Sequence, residues 1–223
     1  MTKPVNYLTN SLTGLEGEPG VFYNYIMAAD GLFIQAKNAH LAATVCIAPQ
    51  LVRGLAPLEE SIQLLHGKVP MYFLNLALSV LCIKPDIEQY LALTWQGNYS
   101  LGAPSQSQTA ASVTYETLPD TVLDIHSHTG GVPPRFSGID DHDEQGFCLY
   151  AVVGDLRNLF PTVELRLGVY GYFMPLGKED IQHCAGQGFI GNRGGSLRLR
   201  RYAQPVVTLP GKRQVLLDIR LNA

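Results

Sequence analysis

Residues 124–146 read DIHSHTGGVPPRFSGIDDHDEQG and hold three of the chain's six histidines together with four aspartates. The run Thr121–His128 has the extended, apolar character of a strand, so His126 and His128 fall on one face, because strand side chains alternate with period two. Gly130, Gly131, Pro133 and Pro134 then turn the chain. Ser137 is placed to cap a short helix over 137–144, and Asp140 falls in its first turn, where it can be presented back towards the two histidines. Two imidazoles and one carboxylate leave one position of a tetrahedral zinc open for water, the arrangement of a catalytic rather than a structural site. Each half has an ordinary reading by itself: a histidine pair without metal, and a capped helix whose acidic first turn suits the helix dipole. Their combination across a Gly/Pro loop is what points to metal chemistry.

Working outward, Val21–Ala28 and Leu32–Lys37 predict two strands around the Asp30-Gly31 turn, and Ala42–Ala48 predicts a third that ends at Pro49. The first 20 residues, with Gly14, Gly17, Pro19 and Gly20, predict an irregular lead-in, and residues 51–70 show no clean period. Pro70 suits the first turn of a helix. Met71–Ile83 is apolar nearly all round and predicts a buried helix, ended by Pro85 and Asp86. Ile87–Trp95 reads as a strand with a Gly97-Asn98 turn, residues 103–112 as a loop, and Val113–Tyr115 as extended. Phe147–Val153 and Val163–Phe173 each predict one strand, and Val206–Leu209 and Val215–Ile219 two short β-like runs. Strands bracketing a buried helix give an α+β class, organised as a β-rich extension over 1–68, a main domain over 69–176 and a basic tail over 177–223.

Composition narrows the function classes. The 223 residues carry a net charge of −3 and are 46% hydrophobic, which is globular rather than disordered. A pI near 6.0 argues against a dedicated nucleic-acid binder. The uncharged run from Val69 to Ile83 is shorter than the ~20 residues of a spanning helix, and the N-terminus lacks the apolar core of a secretory signal. Cys46, Cys82, Cys148 and Cys184 show no CxxC spacing and read as free thiols. These features predict a soluble, cytoplasmic protein. Arg193, Arg198, Arg200, Arg201, Lys212, Arg213 and Arg220 concentrate positive charge at the C-terminus and read as a solvated tail.

The series H-S-H, loop, S-x-x-D and acidic helix resembles the JAMM signature of the JAB/MPN-domain metalloproteases, in their prokaryotic branch. VRGLAPLE (52–59), LYAVVG (149–154) and LRLGVYGYF (165–173) extend the similarity over about residues 20–176. The resemblance implies a JAB/MPN-like (cytidine-deaminase-like) curved mixed β-sheet flanked by helices. It implies Zn2+ held by His126, His128 and Asp140, with Ser137 stabilising the tetrahedral intermediate. It also implies a catalytic glutamate on the strand after the first helix, where Glu88 stands, with Glu116 as the fallback. Asp124 and Asp141 are candidates to orient an imidazole. Eight residues separate His128 from Ser137 where the family pattern has seven, so the TGG loop must bulge by one. Leu91 and Ala92 stand where the family commonly has a glycine after its glutamate. The implied reaction is hydrolysis of an amide or isopeptide bond beside the tail of a ubiquitin-like protein or peptide. E1-like (ThiF-type) proteins are the implied partners; composition and hydropathy point to neither membrane nor nucleic acid. The reading from another class is a non-catalytic JAB-fold scaffold in a multi-protein complex; retention of both histidines, Ser137 and Asp140 tells against it.

Overall fold

The computed structural model describes residues 3–176 and the residue pairs 190–191 and 197–198; the expected β-like runs at 206–209 and 215–219, Cys184 and most of the basic tail lie outside them. The fold is α+β and mostly sheet. Strands β1 (Val5–Ser11), β2 (Gly14–Glu16), β3 (Tyr23–Ala28), β4 (Gly31–Lys37), β5 (Leu41–Pro49) and β6 (Ser61–Leu64) form a six-stranded sheet in the order β2-β1-β3-β4-β5-β6. All its pairings are antiparallel except β1 with β3. The expected irregular lead-in is therefore corrected: residues 5–9 pair with residues 23–27. Only Leu8 of β1 is buried, so the strand carries almost no apolar alternation to betray it.

Helix α1 (Met71–Leu81) starts with Pro70 as its N-cap, one residue outside the expected first turn. Its buried residues are Leu74, Ala77, Leu78 and Leu81, at the spacing of one helical face. Tyr72 is 61% exposed, so the expectation of a helix buried all round is corrected. The composition is apolar on every side, but only one side has something to pack against.

The expected loop at 103–112 contains β9 (Gln106–Gln108), which pairs with β10 (Val113–Tyr115) in a two-stranded ribbon. The second sheet is built on β7 (Tyr90–Trp95), β8 (Tyr99–Gly102), β11 (Thr121–Ser127), β12 (Phe147–Gly154) and β13 (Thr162–Val169), in the order β8-β7-β11-β12-β13. β14 (Tyr172–Pro175) folds back on β13, and the short pair β15 (Ile190–Gly191) and β16 (Leu197–Arg198) adds to the same strand. The single strand expected over 163–173 is thus a hairpin. Tyr170 and Gly171 both take positive φ, 49° and 88°, as a two-residue turn of the primed kind requires. Its apolar alternation runs through the turn and conceals it. Strand β7 is shorter than the expected 87–95, which leaves Glu88 in irregular chain just before it.

The second sheet has two unlike faces. Leu91, Leu93, Leu123, Ile125, Leu149, Ala151, Val153 and Leu167 join Leu74, Leu78 and Leu81 of α1 and Ile34, Leu41 and Val45 of the first sheet in one core. Each large aliphatic side chain buried there contributes about 1.5–3 kcal/mol. The opposite parity aligns Asp124, Tyr150 and Arg166 side by side across β11, β12 and β13, all buried. That polar face is where α2 (Gly138–Asp143) sits between β11 and β12, the one parallel pair of the second sheet among the described residues. Among the described residues no helix is long and apolar enough to cross a membrane.

Candidate metal centre

Strand β11 delivers His126, and its pairing with β12 continues one residue further through the His128 N–H to the Val153 carbonyl at 2.8 Å. His128 therefore keeps the alternation and shares a face with His126. The Gly/Pro loop is pinned to the end of β12 by hydrogen bonds from the Asp155 N–H to the Val132 carbonyl (2.8 Å) and the Arg157 N–H to the Gly130 carbonyl (3.2 Å). Gly154 makes this possible: a Cβ there would stand 2.5 Å from the Val132 oxygen. Ser137 then caps α2 with a reciprocal capping box. Its Oγ accepts the Asp140 N–H at 3.3 Å, and Asp140 Oδ2 accepts the Ser137 N–H at 2.6 Å.

This cap leaves Asp140 Oδ1 facing His126 Nε2 at 3.3 Å. The two atoms are not aligned for a hydrogen bond, and His126 Nε2 is buried with no hydrogen-bond partner. A buried polar atom left this way is costly unless something else satisfies it. Two ligands each 2.0–2.1 Å from a tetrahedral ion stand about 3.3 Å apart, which is the separation seen. One ligand atom each from His126, His128 and Asp140 lie within 4.8 Å of one another. Burial pushes the His126 imidazole down to about 4, with Asp140 opposing and the charges of His128 and Arg166 reinforcing it. The ring is thus neutral and has a lone pair to offer. Burial works to raise the Asp140 carboxyl, but His126, the Ser137 hydrogen bonds and His128 outweigh it and hold the group below the ordinary carboxylate range. A neutral imidazole beside an ionised carboxylate is the state in which both bind metal.

Comparisons of the chain with protein-family models, curated proteins and solved structures found no match. The site stands on its own geometry.

On its other side His126 meets a residue that the sequence reading passed over. Glu144, the C-cap of α2, places Oε1 3.6 Å from His126 Nδ1. Its Oε2 accepts two hydrogen bonds from Arg166, from Nε at 3.0 Å and from a terminal nitrogen at 2.7 Å. The remaining Arg166 terminal nitrogen donates to Asp141. The guanidinium lies 3.8 Å from the ring centres of both Phe136 and Phe173. Burial pushes Glu144 up to about 7; Arg166 counters this, and the charges of Asp140 and Asp141 add to the rise. A signal for Arg166 was present: it is the one basic residue of β13 and is flanked by Leu165 and Leu167, and buried arginine is rare unless paired.

The other candidates fall in different places. Glu88 is half-buried and its backbone N–H donates to the Thr109 carbonyl at 2.9 Å. Burial raises its carboxyl, His128 opposes the rise and Asp140 adds to it, so its charge is felt by two members of the triad. Gln89, also unforeseen, fixes this stretch. Its Nε2 donates to the Leu81 carbonyl at the end of α1 and to the Lys84 carbonyl in the turn that follows, and its N–H donates to Ser127 Oγ at 3.1 Å. Glu116 is exposed beyond β10 and makes no hydrogen bond or ion pair within the described residues. Asp124 is buried, with Oδ1 unpartnered and its pKa raised by burial and by the charge of Glu144. Asp141 reaches Arg166 rather than an imidazole. The carboxylate facing His126 Nδ1 is Glu144, not Asp124 or Asp141. His142 is exposed.

Proposed function

We propose that this chain is a zinc-dependent metallopeptidase of the JAB/MPN (JAMM) type that hydrolyses an amide or isopeptide bond beside the C-terminal tail of a ubiquitin-like protein or peptide. The observation that carries the reading is the buried His126 Nε2, partnerless and set 3.3 Å from Asp140 Oδ1, with His128 alongside. Two imidazoles and a carboxylate suit zinc, and three protein ligands are the number a catalytic zinc takes. Zinc held there would polarise the scissile carbonyl and lower the pKa of water to about 7.

The chain's own groups supply the rest. The Glu88 carboxylate, half-buried and within the electrostatic reach of His128 and Asp140, accepts the proton of the attacking water and returns it to the leaving amine. Ser137 Oγ is an acceptor in the helix cap, and its O–H, which bears on the Asp140 carboxylate, turns to donate to the oxyanion that develops on the carbonyl. Ser137 is exposed, so a substrate has access to it. An extended tail lying along a sheet edge would gain affinity from backbone hydrogen bonds. The motif resemblance supports the same reading. Within that family, residues 132–154 and 165–173 are especially similar to the PRTRC system A proteins, and E1-like (ThiF-type) proteins are the partners it suggests.

The test is metal content by mass spectrometry after zinc-supplemented expression, wild type beside His128→Ala, followed by cleavage of ubiquitin-like fusions. About one zinc per chain, lost in the variant, with cleavage by the wild type, is the expected result. Absence of metal from the wild type overturns the proposal. Zinc without cleavage moves the assignment to a non-catalytic scaffold.

A further inference from the structure

We infer that Glu144 and Arg166 are positioning residues that lock the His126 ring, holding the proton on Nδ1 so that the Nε2 lone pair faces Asp140 and His128. The inference rests on the metal-site reading for its purpose but makes a claim about the protein that can be read without metal.

A neutral imidazole carries one proton, and whichever nitrogen keeps it cannot bind metal. His126 is buried between two carboxylates, with Asp140 Oδ1 3.3 Å from Nε2 and Glu144 Oε1 3.6 Å from Nδ1. Left to Asp140 alone, the proton would be drawn to Nε2 and the ligand lone pair would turn away from the site. Glu144 competes from the opposite side. Two Arg166 hydrogen bonds hold its Oε2, which leaves Oε1 as the free acceptor turned towards the ring. Asp140 likewise commits Oδ2 to the Ser137 N–H, but its free Oδ1 is not aligned with Nε2 for a hydrogen bond, so a proton there would be buried without an acceptor. Arg166 is itself immobilised between Phe136 and Phe173 and tied to Asp141. Because Asp141 and Glu144 both belong to α2 or its cap while Arg166 stands on β13, the clamp also fixes α2, and with it Asp140, against the sheet. Partners of this kind that orient a ligand histidine are worth 10–100-fold in metal affinity.

The experiment compares wild type with Glu144→Gln, whose side chain fills the same space. Two readings are taken in mildly alkaline buffer: the His126 tautomer by imidazole 15N NMR on metal-free protein, and zinc affinity by competition with a chromophoric chelator. The expected result is an Nδ1–H ring in the wild type, a shift towards Nε2–H in the variant, and zinc binding weakened by about 10–100-fold. An Nδ1–H wild type that shifts in the variant but takes up no zinc leaves the positioning role standing and removes the metallopeptidase reading. An unchanged tautomer together with unchanged zinc affinity overturns the inference and leaves that reading intact. Should Glu144→Gln fail to fold, the double variant Glu144→Gln, Arg166→Met removes both buried charges together and carries the same two readings.

Discussion

Asp140 divides its carboxylate between two tasks: Oδ2 accepts the Ser137 backbone N–H at 2.6 Å, while Oδ1 stands 3.3 Å from His126 Nε2. One oxygen starts a helix and the other faces the candidate metal. A residue with a single side-chain oxygen cannot do both.

Asp140→Asn should therefore lose zinc or lose the cap. Asparagine offers one oxygen and no negative charge, so zinc affinity is expected to fall by at least about tenfold. A chelator-competition titration checks this, and affinity equal to wild type would remove Asp140 from the ligand set.

Ser137→Ala removes the acceptor for the Asp140 N–H and should cost about 1 kcal/mol of stability. If its hydroxyl also donates to the oxyanion, kcat should fall by about 10²–10³ with zinc content unchanged. Thermal unfolding, metal analysis and turnover on one preparation separate the cap from the catalytic role.

Glu88→Gln keeps the size and half-buried setting of the side chain but cannot accept a proton. Turnover is expected to drop by about 10²–10⁴ while zinc stays bound. Turnover at the wild-type rate would dismiss Glu88 as the general base.

Chelation should lower the melting temperature. Zinc present at about 100 times its Kd contributes about 2.7 kcal/mol, and a chain of this size shifts by about 2–4 °C per kcal/mol. Stripping the metal is thus expected to cost about 5–10 °C by calorimetry, with no such loss in His128→Ala.

Leu81→Ala and Tyr72→Ala test the one-sided burial of α1. Leu81 is fully enclosed, and its truncation should cost about 2–5 kcal/mol. Tyr72 is 61% exposed, so its loss should cost under about 0.5 kcal/mol. Equal penalties in chemical denaturation would mean that the helix packs on both faces.

The residues that come together at the site were legible because each is placed by a local rule. Period-two alternation put His126 and His128 on one side of β11, and the S-x-x-D spacing wrote the capping box that presents Asp140. Where alternation misled, it did so for a local reason. It ran through the Tyr170-Gly171 turn and joined two strands into one, and in β1 a single buried residue, Leu8, left nothing to see. The apolar composition of α1 showed that the helix would be buried but not on which side.

By itself, the sequence determined the strand that carries the two histidines, the capped helix that carries Asp140, and the α+β class, all consequences of interactions within a few residues. Only the tertiary structure decided that Glu144 and Arg166 stand behind His126. Arg166 reaches Glu144 because β13 pairs with β12 and β12 with β11, which aligns Arg166 with Tyr150 and Asp124 across the sheet. That adjacency is set by strand order and register, which depend on how whole faces pack. It leaves no trace in the spacing of the residues along the chain.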